Sequence, residues 1–107
     1  MNETETIPQV QRGQPAANLI ISSSATIKNR YGLHARAAAK LVKAAEAFKA
    51  ELTMAKDESL ADVRSLLSLL SLGCACNSQV TLTAAGEDAP AAIKALLAII
   101  NDRFGED

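Results

Sequence analysis

The chain has 107 residues, a formal net charge of -1 and 49% hydrophobic residues, but only 3% aromatic ones. That length suits one domain with a tail and a modest core of Leu, Ile, Val and Ala, with no surplus for large cavities. Such a balance of charge gives no sign of a nucleic-acid binder, and no stretch approaches the roughly 18 consecutive apolar residues of a membrane span.

Residues 1–18 are polar, hold two of the three prolines and show no periodicity, so they are expected to form a disordered tail ahead of a domain over 19–107. Leu19–Lys28 places Ile21, Ala25 and Ile27 on one parity, a first strand. Asn29–Gly32 is a loop. Ala35–Phe48 is the clearest helix, with Ala38, Leu41, Val42, Ala45 and Phe48 on one face. Leu52 and Met54 mark a second strand, Lys56–Glu58 a turn, and Leu60–Val63 a returning strand. "DVRSLLSLLSLG" predicts a shorter helix ended by Gly73. Val80, Leu82 and Ala84 alternate in a further strand. Asp88 is the predicted N-cap of a last helix, with Pro90 in its first turn and Ile93, Leu96, Leu97 and Ile100 on one face. The order β-α-β-β-α-β-α, with one apolar stripe per helix, predicts a sheet covered on one face.

Charge is unevenly spread. From Lys28 to Lys49 there are six bases and one acid, Glu46, whereas from Glu51 onward there are four bases and nine acids. A basic region steers anions or acidic partners, and a solvated helix face accounts for the same pattern. Cys74 and Cys76 form C-x-C, too close for an unstrained disulfide and without the further ligands of a zinc site. Reduced thiols and the lack of a leader pattern predict a cytoplasmic protein without membrane insertion.

The only histidine, His34, stands directly before the strongest helix in "YGLHARAAAKLVKAAEAF". First-turn N–H groups lack intrahelical partners and the helix dipole is positive there, so an anion is welcome. The same helix end favours a neutral, nucleophilic imidazole. Arg36 lies two residues on, and Gly32 leaves the approach free of a side chain. A histidine at a helix start also serves as a simple cap. No paired carboxylates, Cys/His/Asp set or phosphate-binding loop offers a competing site.

The segment "NRYGLHARAAAKLVKAAEAF" resembles the active-site segment of the histidine-containing phosphocarrier (HPr) family of the bacterial phosphoenolpyruvate-dependent phosphotransferase system. The likeness continues through "VRSLLSLLSLG" and "VTLTAAGEDAPAAIKALLAII", from about Ser23 to Phe104. It implies an α+β open-faced β-sandwich, with four antiparallel strands and three helices on one face. It also implies that His34 accepts a phosphoryl group on Nδ1 from phospho-Enzyme I and passes it to an Enzyme IIA-type acceptor. Arg36 and the first-turn amides, including that of Ala35, would hold the phosphate. Such a carrier forms a covalent phosphohistidine, turns over no small substrate by itself, works as a monomer and needs no metal or other cofactor.

Ser65 falls where many relatives carry a serine phosphorylated by an ATP-dependent kinase and released by a phosphorylase; an N-cap role explains the same serine. On the family pattern Leu69 and Leu72 pack inward, while Leu66, Leu67 and Leu70 lie toward His34 as a docking patch; periodicity also allows all five in the core. Ala37 stands where the family usually has proline, and Arg64 where lysine is common. Ala37, "SLLSLLSLG" and the "FGED" ending lean toward the nitrogen-related branch, which leaves a regulatory adaptor beside a sugar-uptake carrier. A small domain of the same fold without phosphoryl chemistry is the third reading.

Overall fold

The computed structural model describes residues 19–106, so the tail expected over 1–18 lies outside the described residues. Alternation builds the strands β1 (Ile20–Thr26), β2 (Glu51–Lys56), β3 (Ser59–Asp62) and β4 (Gln79–Ala85). They form one antiparallel sheet in the order β1-β4-β2-β3. Register puts Ala25 opposite Val80, and Leu82 opposite both Ser23 and Met54, with Ala61 beyond Met54. Ala25, Leu52, Met54, Ala61, Val80, Leu82 and Ala84 are thereby buried on one face. The other face is polar, and there the Ser22 and Thr83 hydroxyls are 3.0 Å apart.

Helices α1 (Ala35–Ala45), α2 (Leu66–Ser71) and α3 (Ala89–Asn101) cover the apolar face, so the expected open-faced sandwich is what the chain adopts. Ala37, Ala38, Leu41 and Ala45 of α1 meet Leu69 of α2 and Ala92, Ile93, Leu96 and Ile100 of α3 in the core. Among the described residues no helix is long and apolar enough to cross a membrane.

Several boundaries differ from the sequence reading. The first strand is trimmed to Ile20–Thr26, and the third begins at Ser59 and ends at Asp62. Helix α1 stops at Ala45 rather than Phe48. Glu46, Ala47 and Phe48 donate to the carbonyls of Lys43, Ala44 and Ala45, which tightens the last turn. The Arg64 guanidinium then takes the carbonyl oxygens of Ala45 and Ala50 at 2.9 Å each, and that of Phe48. Asp88 occupies the N-cap position of α3 but makes no side-chain cap bond there. Its carboxylate accepts instead from the Lys49 and Ala50 amides at 2.8 and 2.9 Å, bridging the approach to β2. A 3-10 turn, Arg103–Gly105, which periodicity did not signal, follows α3.

Candidate active site at the start of helix α1

His34 is the N-cap of α1, with extended backbone angles (φ -81, ψ 178). Its carbonyl accepts from Ala38 N at 2.8 Å, starting the helix, and its Nδ1 accepts from Arg36 N at 3.2 Å. An atom that accepts from an amide carries the lone pair, so in the neutral ring the proton sits on Nε2. Nε2 lies 2.6 Å from Glu106 Oε2, which takes that proton's hydrogen bond. The lone pair of the neutral ring is therefore on Nδ1, which faces the first turn of the helix through the Arg36 amide.

His34, Ala35 and Arg36, the residues singled out for phosphate binding, line one open depression of ≈ 980 Å³ together with Arg30, Tyr31 and Glu106. The Tyr31 ring meets the imidazole edge-on with centroids 6.5 Å apart, and the Arg30 guanidinium sits 5.7 Å from the Tyr31 centroid. Arg30 is thus a second cation at the same opening. Ala37, in place of the usual proline, is fully buried in the first turn and packs into the core.

Gly32 serves a different purpose from the one its sequence position suggests. Its φ is +69, and a Cβ there would overlap the Cys74 carbonyl oxygen and come within 2.9 Å of Ala75 Cα. The Leu33 amide donates to that Cys74 carbonyl at 2.8 Å. Gly32 is therefore required by the turn after α2, which backs the histidine loop, rather than by the approaching phosphate. The C-x-C belongs to this turn, with both thiols free, Cys74 buried and Cys76 exposed. Burial pushes the Cys74 thiol up from its ordinary value, against the smaller lowering effect of Lys56.

Glu106 is the functional residue that sequence reasoning missed. Three consecutive residues with positive φ, Arg103 (57), Phe104 (57) and Gly105 (74), turn the chain back after α3. Phe104 is buried, and its carbonyl accepts from Lys40 of α1. The Glu106 carboxylate then reaches His34 Nε2 through Oε2 and receives Asn29 Nδ2 on Oε1 at 3.0 Å. The Asn29 hydrogen bond, with further help from His34 and Lys40, holds the Glu106 carboxyl below the usual glutamate range. Seventy-two residues separate Glu106 from His34, so no spacing rule could have paired them. The "FGED" ending was the available signal, and it spoke to branch rather than to chemistry.

The remaining singled-out residues lie on or beside α2. Ser65 is its N-cap, the hydroxyl accepting from Ser68 N at 3.2 Å. Leu69 and Leu72 are buried, as the family pattern suggested. The other three leucines do not share one environment. Leu66 and Leu67 are exposed, whereas Leu70 packs partly against the core. Leu67 lines a groove with Ser59, Leu60, Ser68, Ser71 and Leu72, between α2 and β3.

The family model described as the PTS HPr component phosphorylation site matches residues 21–102. The chain belongs to the HPr family. It is 43% identical over 81 residues to the phosphocarrier protein NPr of Shewanella violacea, covering 76% of this chain and 89% of that one. It is 39% identical over 87 residues to the phosphocarrier protein HPr of Cupriavidus necator, covering 81% of this chain and 98% of that one. The crystal structure of HPr from Thermoanaerobacter tengcongensis is similar with a TM-score of 0.78 at 38% identity, covering 81% of this chain and 98% of that chain. As a member of the HPr family, the chain is a phosphocarrier of the phosphotransferase system.

Proposed function

We propose that the phosphoryl group is carried on His34 Nδ1, taken from phospho-Enzyme I and delivered to an Enzyme IIA-type acceptor in the cytoplasm. The observation that supports this reading most is the hydrogen-bond pattern of the ring: Nδ1 accepts at a helix N-terminus while Nε2 is held by a carboxylate. In the transfer the Nδ1 lone pair attacks phosphorus in line, and the bond from phosphorus to the donor breaks with its electron pair leaving on the donor. The Arg36 amide loses its Nδ1 acceptor and is freed for a phosphoryl oxygen, beside the Ala35 amide and the Arg36 guanidinium. Nε2 keeps its proton, and the positive charge arising on the ring faces Glu106. Delivery is the reverse sequence. Leu66, Leu67 and Leu70 supply docking surface for partners that bind briefly, and the bases near His34 speed encounter.

Incubation with phosphoenolpyruvate and Enzyme I should give an acid-labile, base-stable phosphate that His34→Ala loses. Its absence from the wild-type chain, or its persistence in the variant, overturns the reading. Ser65 is a second modification site in this proposal: a phosphate there would replace the Ser68 cap bond. Labelling by an ATP-dependent serine kinase, absent in Ser65→Ala, tests it. A regulatory relay of the nitrogen type, in place of sugar transport, is the second reading, and the 43% identity to an NPr fits it. Transfer from the phosphorylated chain to a nitrogen-type IIA protein, compared with a sugar-specific one, separates the two.

A further inference from the structure

Asn29 is the one buried polar or charged residue among the described residues, with no exposed surface. Its Nδ2 donates to Gly32 O at 2.6 Å and to Glu106 Oε1 at 3.0 Å. The orientation of the amide follows from those contacts, because a flip would set Oδ1 against two oxygen acceptors. Oδ1 itself has no hydrogen-bond partner among the described residues. An apolar side chain of similar size would leave no such orphan, so the two donor bonds are what this position supplies. Both lead to His34. Gly32 O, the first acceptor, also accepts from the His34 amide at 2.9 Å. Glu106, the second, holds His34 Nε2 at 2.6 Å.

We propose that Asn29 is a positioning residue for phosphoryl transfer, its single NH2 group bracing both the backbone turn that presents His34 and the carboxylate that fixes its ring. A carboxylate that is partly exposed can turn toward solvent, and Lys40 and Phe104 secure only the backbone ahead of Glu106. Asn29 holds the carboxylate itself. The charged groups facing that carboxylate are His34 and Lys40, with Arg30 and Arg36 lining the same depression. Asn29 is the foremost cause of Glu106's lowered carboxyl titration, in keeping with this role. The consequence is one neutral tautomer, with the proton on Nε2 and the lone pair on Nδ1 (the arrangement the proposed transfer needs, and on which this inference rests).

The test uses the full chain, unphosphorylated, with labelled nitrogen and carbon. His34 is the only histidine, so its two ring nitrogens are read without ambiguity. In folded Asn29→Ala the Glu106 carboxyl should titrate nearer the ordinary glutamate range. The ring should gain a population protonated on Nδ1, and phosphoryl uptake from phospho-Enzyme I should slow several-fold. Unchanged Glu106 titration and tautomer in a folded variant overturn the proposal. Should Asn29→Ala not fold, the wild-type chain decides: the Asn29 side-chain NH2 shifts should follow the Glu106 carboxyl titration, and independence of the two overturns the proposal equally. These signals need no phosphoryl donor, so failure of His34 to take up phosphate in the wild type is a separate result.

Discussion

At His34 a ring nitrogen is chosen by its neighbours rather than by its own chemistry. In the neutral ring the Arg36 amide faces the Nδ1 lone pair, and Glu106 accepts from the protonated Nε2. In the proposed transfer the carboxylate has a second effect, because phosphorylation of Nδ1 would leave a positive ring that Glu106 faces directly. Glu106→Gln keeps the shape but removes the charge, and it leaves one acceptor oxygen for two donors, His34 Nε2 and Asn29 Nδ2. Phosphoryl uptake by this variant should fall roughly tenfold or more, the size expected when charge assistance goes and one of the two hydrogen bonds is lost. Single-turnover rates with phospho-Enzyme I measure it, and an unchanged rate would show the charge to be idle. The reading of His34 and Arg36 as neighbours came directly from the sequence, because both lie within one helical turn. Asn29, Lys40 and Glu106 were out of reach because their partners are set by a chain reversal at residues with positive φ.

The elements are joined by polar side chains that bind main-chain groups across their junctions. Arg64 takes three carbonyls at the end of α1 and the start of β2, so its importance is geometric as well as electrostatic. Arg64→Met should cost about 1–3 kcal/mol, since it leaves half-buried carbonyls without their donor. In a domain of this size each kcal/mol corresponds to roughly 4–8 °C in Tm. Arg64→Lys should recover only part of the loss, because an ammonium lacks the planar fork. Calorimetry of the three proteins provides the comparison.

Asp88 plays the reciprocal part on the amides of Lys49 and Ala50. The Lys49 amide, foremost, holds its carboxyl below the usual aspartate range. The folded value is thus lower than the unfolded one. Asp88 stabilises the fold above the ordinary aspartate range, and this contribution is lost as pH falls through the lowered folded value. Asp88→Asn should therefore be less stable than the wild type near neutral pH, with the gap closing as pH falls through the lowered folded value. Denaturant melts across that interval check it; a gap that does not narrow would refute the linkage. Periodicity located these helices well but misjudged the end of α1, because the groups that end it are Arg64, from the loop before α2, and α1's own last turn.

For the whole molecule, the sheet's one apolar face and the three helices leave a few large side chains uncovered. Leu60 is 69% exposed and Leu67 is 75% exposed, on either side of the groove between β3 and α2. Leu67→Ser should change stability by no more than roughly 0.5 kcal/mol, as a substitution of an exposed side chain that neither caps the helix nor enters the core. If the leucines dock partners, the same variant should raise the KM for phosphoryl transfer while leaving kcat nearly intact, because only binding common to ground and transition states is removed. An unaffected KM would confine docking to other surfaces. The sequence showed an excess of leucines in this helix. Which of them face solvent depended on how α2 meets β3 and α1, and Leu70 proved to belong partly to the core.

By itself the sequence determined the order of elements, the buried parity of β1, β2 and β4, the stripes of α1 and α3 and the placement of His34 at a helix start. Those properties are local: alternation, a period of 3.6 and a helix N-terminus are all set by residues within a few positions of one another. Only the tertiary structure decided which ring nitrogen of His34 is free, because Glu106 arrives from the far end of the chain on a turn anchored by Phe104, Lys40 and Asn29. It also decided why Gly32 is glycine, since the colliding carbonyl belongs to Cys74. Hydrogen bonds act over about 3 Å in space and carry no memory of separation along the chain, so contacts between distant residues emerge only when the chain has folded.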